Sequence, residues 1–181
     1  GEARVAPASQ TILFVAGFGH PPNEDAVCWF VAEILPLIRR TRPDAALHIV
    51  GSNPTQAVQR LAGEGIVVMP NVSDAELARC YRQARVAVVP LRFGAGVKLK
   101  VVEALARGLP LVTTPTGAQG CEGLEDVIPV VSDPGEFAAA VKALLSDDLL
   151  WAASSARQAD YARERFSEDR LRTVLLEASG L

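Results

Sequence analysis

With 181 residues, 49% of them apolar and 22% charged, the chain has the makeup of one ordinary globular domain able to bury a sizeable core. A formal net charge of -3 argues against a dedicated nucleic-acid binder, and no apolar run reaches the length that spans a bilayer. Cys28, Cys80 and Cys121 are far apart, odd in number and free of any CxxC spacing, so they read as reduced thiols of a cytoplasmic protein rather than as metal ligands or disulfides.

Residues 1–10 have no periodicity and read as a linker or junction, which places the folded domain over 11–181. The first apolar run, TILFVA (11–16), predicts a strand. A helix is expected next over 24–40, where Val27, Phe30, Val31, Ile34, Leu37 and Ile38 recur at helical spacing. Asn23, after Pro21 and Pro22, is its candidate N-cap, and Pro36 should kink it. Further strands are expected at 46–50, 66–70, 86–90, 109–114 and 128–132, with helices between them over 53–63, 73–84 and 96–108. Ser73 and Glu76 have capping-box spacing, and Gly108 is a natural helix stop. Three helices should close the chain, over 134–146, 147–166 and 167–178.

The strands are nearly continuous in hydrophobicity, as strands covered on both faces must be. Their alternation with helices predicts an α/β fold: a Rossmann-like, doubly wound parallel sheet of about six strands with C-terminal helices. Ligands of such sheets bind beyond the carboxyl ends of the strands, so the loops there carry the candidate chemistry.

The first loop, GFGHPPN (17–23), begins with the GxG of a dinucleotide fingerprint, but Pro22 occupies the third glycine position. After the second strand Gly51, Ser52 and Asn53 stand where a ribose-binding carboxylate would be needed. Nicotinamide dinucleotide binding of that type is therefore disfavoured, and Gly17 with its neighbours forms either a tight turn or a phosphate contact. There is no GxxxxGK[ST], which excludes a P-loop. The strand ends also lack the acidic cluster of a receiver domain.

The loop FGAGVKLK is more informative. Gly94, Ala95 and Gly96 leave backbone amides uncovered where a helix begins, and the helix dipole favours an anion there. Lys98 and Lys100 lie at the end of the helix where cations are unfavourable for the helix itself, so a phosphate or pyrophosphate is the expected compensation. Glu103, three residues after Lys100, shares its face, either as a simple solvated ion pair or as a ligand-binding group.

Taken together, GAGVKLKVVEALARGLPLVTTPTGAQG resembles the nucleotide-sugar-binding motif of the family 4 (group 1) glycosyltransferases, which have a GT-B fold. The resemblance extends from about Thr11 onward, through PPNEDAVCWFVAEILPLI, HIVGSNP and ELARCYRQARVAVVPL to FSEDRLRTVLLEA, and covers that family's carboxyl-terminal donor-binding domain. It implies transfer of a sugar from a nucleoside diphosphate sugar to an acceptor hydroxyl, with retention and without a metal or other cofactor. It places the second glutamate of the E-x7-E motif, which binds ribose, at Glu103. The first glutamate, which meets the transferred sugar, falls on Ala95, and the family's Arg and Lys after the first strand are absent, with only His20 nearby. Lys98 and Lys100 are the expected replacements for that charge. Val72 matches a position where backbone meets the nucleobase, and Gly117 a turn near the donor phosphates.

The acceptor site and the catalytic groups are then expected on an amino-terminal domain missing from this chain, and the chain alone is expected to be inactive. Membrane association would come through that domain, and the setting would be polysaccharide or glycoconjugate synthesis. The alternative reading is a non-catalytic nucleotide-binding or regulatory module on the same fold, which Ala95 favours.

Overall fold

A computed structural model describes residues 6–166. Five parallel strands form its sheet: β1 (Thr11–Gly17), β2 (Ala46–Ser52), β3 (Ile66–Pro70), β4 (Val86–Val89) and β5 (Leu111–Thr113). Their spatial order is β3-β2-β1-β4-β5. The chain thus builds outward from β1 to β3, then returns to place β4 on the other side of β1, which is the doubly wound arrangement. β1 runs in register with β2 from Thr11↔Ala46 to Gly17↔Ser52 and meets β4 at Ile12↔Val86 and Leu13↔Ala87.

Among the described residues a sixth strand does not form. Thr113 bonds to Pro129 O and Val131 N, and that single bridge to Val130 is all the run at 128–132 contributes. Two features explain why this run does not pair further. β5 has only three residues before a helix begins at Pro115, and Pro129 has no N–H with which to extend a ladder.

The helices are α1 (Pro21–Trp29), α2 (Leu35–Arg39), α3 (Gln56–Gln59), α4 (Asp74–Gln83), α5 (Leu99–Ala106), α6 (Pro115–Ala118), α7 (Pro134–Ser146) and α8 (Asp148–Arg165). α1 starts earlier than expected, with His20 at the N-cap and Pro21 in the first turn, so Asn23 is not the cap. Between α1 and α2, Phe30–Ile34 is a π turn, in which the Leu35 N–H reaches Phe30 O. Pro36 follows at once, and the wider turn accommodates a residue that cannot continue α-helical bonding. The helix expected over 53–63 shortens to four residues, because Gly63 and Ile66 exchange backbone bonds in a tight turn.

The capping box of α4 forms as expected, with Glu76 N–H donating to Ser73 Oγ at 3.3 Å and Ser73 N–H to Glu76 Oε2 at 2.9 Å. The helix expected over 167–178 lies outside the described residues.

The core is one cluster in which Phe14, Leu47 and Val86 of the sheet pack with Phe30, Phe137 and Val101 of the helices. At the amino end of β4, Arg85 is only 4% exposed and has acceptors for each of its nitrogens. It donates to Leu144 O at 2.9 Å, to Pro7 O at 2.8 Å and to Asp148 Oδ1. The Trp151 indole in turn donates to Arg85 O at 2.6 Å.

Candidate functional site

At the opposite end of the sheet, the loop after β1 and the loop after β4 diverge to opposite sides of the topological switch point. A cavity of about 720 Å³ lies between them, within the range of about 300–1,000 Å³ common for small-molecule sites. His20, Pro22 and Asn23 line one side; Gly94, Ala95, Gly96, Lys98 and Lys100 line the other. None of its described lining residues is acidic. Phe93 and Leu99, both about half exposed, add apolar surface to it.

The glycine loop owes its shape to two positive φ angles, 121° at Gly94 and 76° at Gly96, which side chains rarely tolerate. Among the described residues, the N–H groups of Gly94, Ala95, Gly96 and Val97 make no hydrogen bond. Lys98 is the N-cap residue of α5 and has no side-chain capping bond; its ammonium folds back and donates to Ala95 O and Gly96 O. Burial holds its pKa below the ordinary lysine value.

Lys100 is more deeply set. Its ammonium donates to Asn23 Oδ1 and lies 5.8 Å from the centroid of the Phe14 ring. Burial, reinforced by the nearby Lys98 charge, lowers its pKa to about 8. The sequence suggests Asn23 as a helix cap; in the structure it is 8% exposed and joins β1 to this lysine. No local signal reveals that role, because the partner is 77 residues away in sequence.

Glu103 does not pair with Lys100. It turns to the other side, where Arg107 Nη2 donates to Oε1 at 2.9 Å and Tyr81 donates to Oε2 at 3.3 Å. Arg107 also stacks 4.8 Å from the Tyr81 ring centroid, and burial together with the Glu103 charge drives the Tyr81 pKa upward. Glu103 is not among the cavity-lining residues.

Three further residues singled out in the sequence also lie outside the lining. Gly17 ends β1 and accepts from Asn23 Nδ2 at 2.7 Å. Val72 is half-buried after β3, at the sheet edge. Gly117 is buried and donates to Thr114 Oγ1 at 3.2 Å, and a Cβ there would fall 2.0 Å from Thr113 Oγ1. Among the described residues, no three His, Cys, Asp or Glu converge as a metal site, and no helix is long and apolar enough to cross a membrane.

A Rossmann-like sheet with its cavity at this switch point matches the carboxyl-terminal domains of GT-B glycosyltransferases. The chain belongs to the glycosyl transferases group 1, whose family model matches residues 9–147. It is 31% identical over 172 residues to the D-inositol 3-phosphate glycosyltransferase of Geodermatophilus obscurus, covering 86% of this chain and 37% of that protein. Among solved structures, a mutant of S. aureus TarM in complex with fondaparinux, α-GlcNAc-glycerol and UDP superposes with a TM-score of 0.78 at 13% identity, over 98% of this chain and 36% of that one. The C-terminal domain of LpcC, a glycosyl transferase group 1 family protein from Francisella tularensis, superposes with a TM-score of 0.66 at 16% identity, over 90% of this chain and 88% of that domain. The chain spans about a third of the length of the curated relatives it matches.

Proposed function

We propose that the switch-point cavity holds the diphosphate of a nucleoside diphosphate sugar, and that the domain presents this donor for transfer of the sugar to an acceptor hydroxyl. The observation that carries the reading is the concentration of anion-binding groups in one place. Among the described residues, two lysines and four unbonded amides surround the cavity, and no carboxylate lines it. Such groups stabilise charge developing on a departing diphosphate without calling for a resident metal, and the transfer is proposed to retain configuration, as the family resemblance implies. In this reading Lys100 and the Gly94–Gly96 amides take the phosphates, with Lys98 and His20 at the margin. Glu103 takes the ribose, exchanging its bond to Tyr81 or Arg107 for a sugar hydroxyl. Val72 and Gly117 frame the nucleobase and phosphate ends, as the family resemblance implies. The acceptor site and its catalytic groups are assigned to a part of the enzyme not contained in this chain, so the chain alone transfers no sugar.

Calorimetric titration with UDP, GDP, ADP and their sugar conjugates tests this reading. One nucleotide should bind selectively and lose affinity in both Lys100→Ala and Glu103→Ala. Binding that neither substitution alters would remove the cavity from consideration. Ala95 and the occupied carboxylate of Glu103 favour a second reading, a nucleotide-binding module without transferase chemistry. Donor turnover by the full-length protein separates the two.

A further inference from the structure

Asn23 stands between two groups of opposite hydrogen-bonding character. On one side Gly17 O can only accept, and it receives Asn23 Nδ2 at 2.7 Å. On the other, the Lys100 ammonium can only donate, and it donates a hydrogen bond to Asn23 Oδ1. The two neighbours therefore dictate the same orientation of the amide. Of side chains this size, only asparagine satisfies both. Aspartate could not donate to Gly17 O, and leucine could bond to neither.

The consequence for Lys100 is geometric. An ammonium on a four-carbon stem has many rotamers, and ordering it has an entropic cost. Asn23 fixes one of its three N–H groups, and the Phe14 ring supports the charge from the strand side. Asn23 and Lys100 line the same cavity. Among the described residues, the groups facing the ammonium are neutral or cationic: Asn23 from α1, Phe14 from β1, and Lys98 from the end of its own helix. Asp25, the nearby carboxylate of α1, is turned to Arg92 instead. Because Asn23 carries no charge, it orients the ammonium without neutralising it.

We propose that Asn23 is a positioning residue for the anion site: anchored on the end of β1, it holds the Lys100 ammonium at the switch-point cavity, ready for a phosphate group. The inference rests on the diphosphate-binding reading above. It adds that the first turn of α1 contributes an aiming element, in a chain whose loop after β1 lacks a strong cation of its own.

Inorganic pyrophosphate is the appropriate probe, since it requires no assumption about the nucleobase. Calorimetry on the 181-residue chain, with Asn23→Ala, Lys100→Ala and the double variant, forms a thermodynamic cycle. Asn23→Ala should weaken pyrophosphate roughly tenfold, the scale of one hydrogen bond to a charged group. Lys100→Ala should weaken it more, and the double variant should be no worse than Lys100→Ala. Independent, additive effects would overturn the proposal, because a purely structural asparagine would act without Lys100. Wild-type binding that Lys100→Ala loses and Asn23→Ala keeps would overturn this proposal and leave the diphosphate reading standing. No wild-type binding would remove both.

If Asn23→Ala does not fold by circular dichroism, Asn23→Asp decides the matter. NMR titration of the Lys100 side-chain Cε should then show its pKa rising from about 8, as a carboxylate replaces the amide beside it. An unchanged titration would mean that position 23 does not face the ammonium, and the proposal would fall.

Discussion

Arg85 and Lys100 are both cations withdrawn from solvent, at opposite ends of the sheet, and their surroundings differ in kind. Arg85 at the amino end has two main-chain carbonyls and a carboxylate, so its hydrogen-bonding capacity is met within the fold. Lys100 at the carboxyl end has one neutral amide, one aromatic ring and another lysine nearby. A buried charge with a complete set of acceptors holds structure together, whereas one with an incomplete set beside a cavity is arranged for something that arrives. Burial alone does not distinguish the two roles; the inventory of partners does.

The largest expected effect lies on the structural side. Arg85→Met should destabilise the fold by about 2–3 kcal/mol, mainly through two carbonyls left without donors, since the exposed Asp148 adds little. Urea unfolding would measure this, and pyrophosphate affinity of the folded variant should stay the same. A loss of affinity without a loss of stability would break the comparison. Gly117→Ala should come next, at about 2 kcal/mol, because the added methyl group collides with Thr113. It should lower the urea midpoint and, because Gly117 frames the phosphate end in the proposed reading, weaken pyrophosphate as well, which separates it from Arg85→Met.

Lys100→Met sharpens the contrast through its sign. The folded pKa of Lys100, about 8, lies below its ordinary value of 10.5. Between those values the unfolded chain binds more protons, so wild-type stability rises with pH across that window, and the full penalty applies below pH 8. Without ligand, the methionine variant should melt above wild type at pH 7, and the gap should narrow as pH climbs toward 10. A variant that melts below wild type at pH 7 would place Lys100 in the same class as Arg85. The smallest effect is expected at Asp25, which pairs with Arg92 at the surface. Asp25→Ala should change stability by about 0.5 kcal/mol, readable as a shift of no more than about 2 °C in the melting temperature.

Much of this architecture could be read in the chain itself, because a parallel strand covered on both faces has no polar positions to interrupt its apolar run. VAVV, buried at every position, is therefore visible as a strand, whereas ALHIV and IVVMP are only partly covered and are betrayed by their branched apolar residues. IPVVS has the same composition, but what defeats it is the brevity of its neighbour β5, a pairing property that no local window contains. The site divides in the same way. Gly94, Gly96 and the two lysines are legible because they oppose ordinary helix chemistry over a few residues. The Asn23–Lys100 bond and the turn of Glu103 toward Tyr81 depend on which strands lie side by side, and strand order is fixed only by the assembled sheet.

The π turn at Phe30–Ile34 has a consequence at a distance. One surplus residue in a helix would rotate everything on one side of it by about 100° relative to the other, unless a wider turn takes it up. This turn does so, and Ala26 and Val27 stay buried upstream while Leu35 and Ile38 stay buried downstream. Deleting Ala32 should therefore close the helix into even winding with Asn23 still set against Gly17 and Lys100. A further residue added there, with no second turn to absorb it, would swing Asn23 away, and the cavity would lose its brace although every residue lining it is intact.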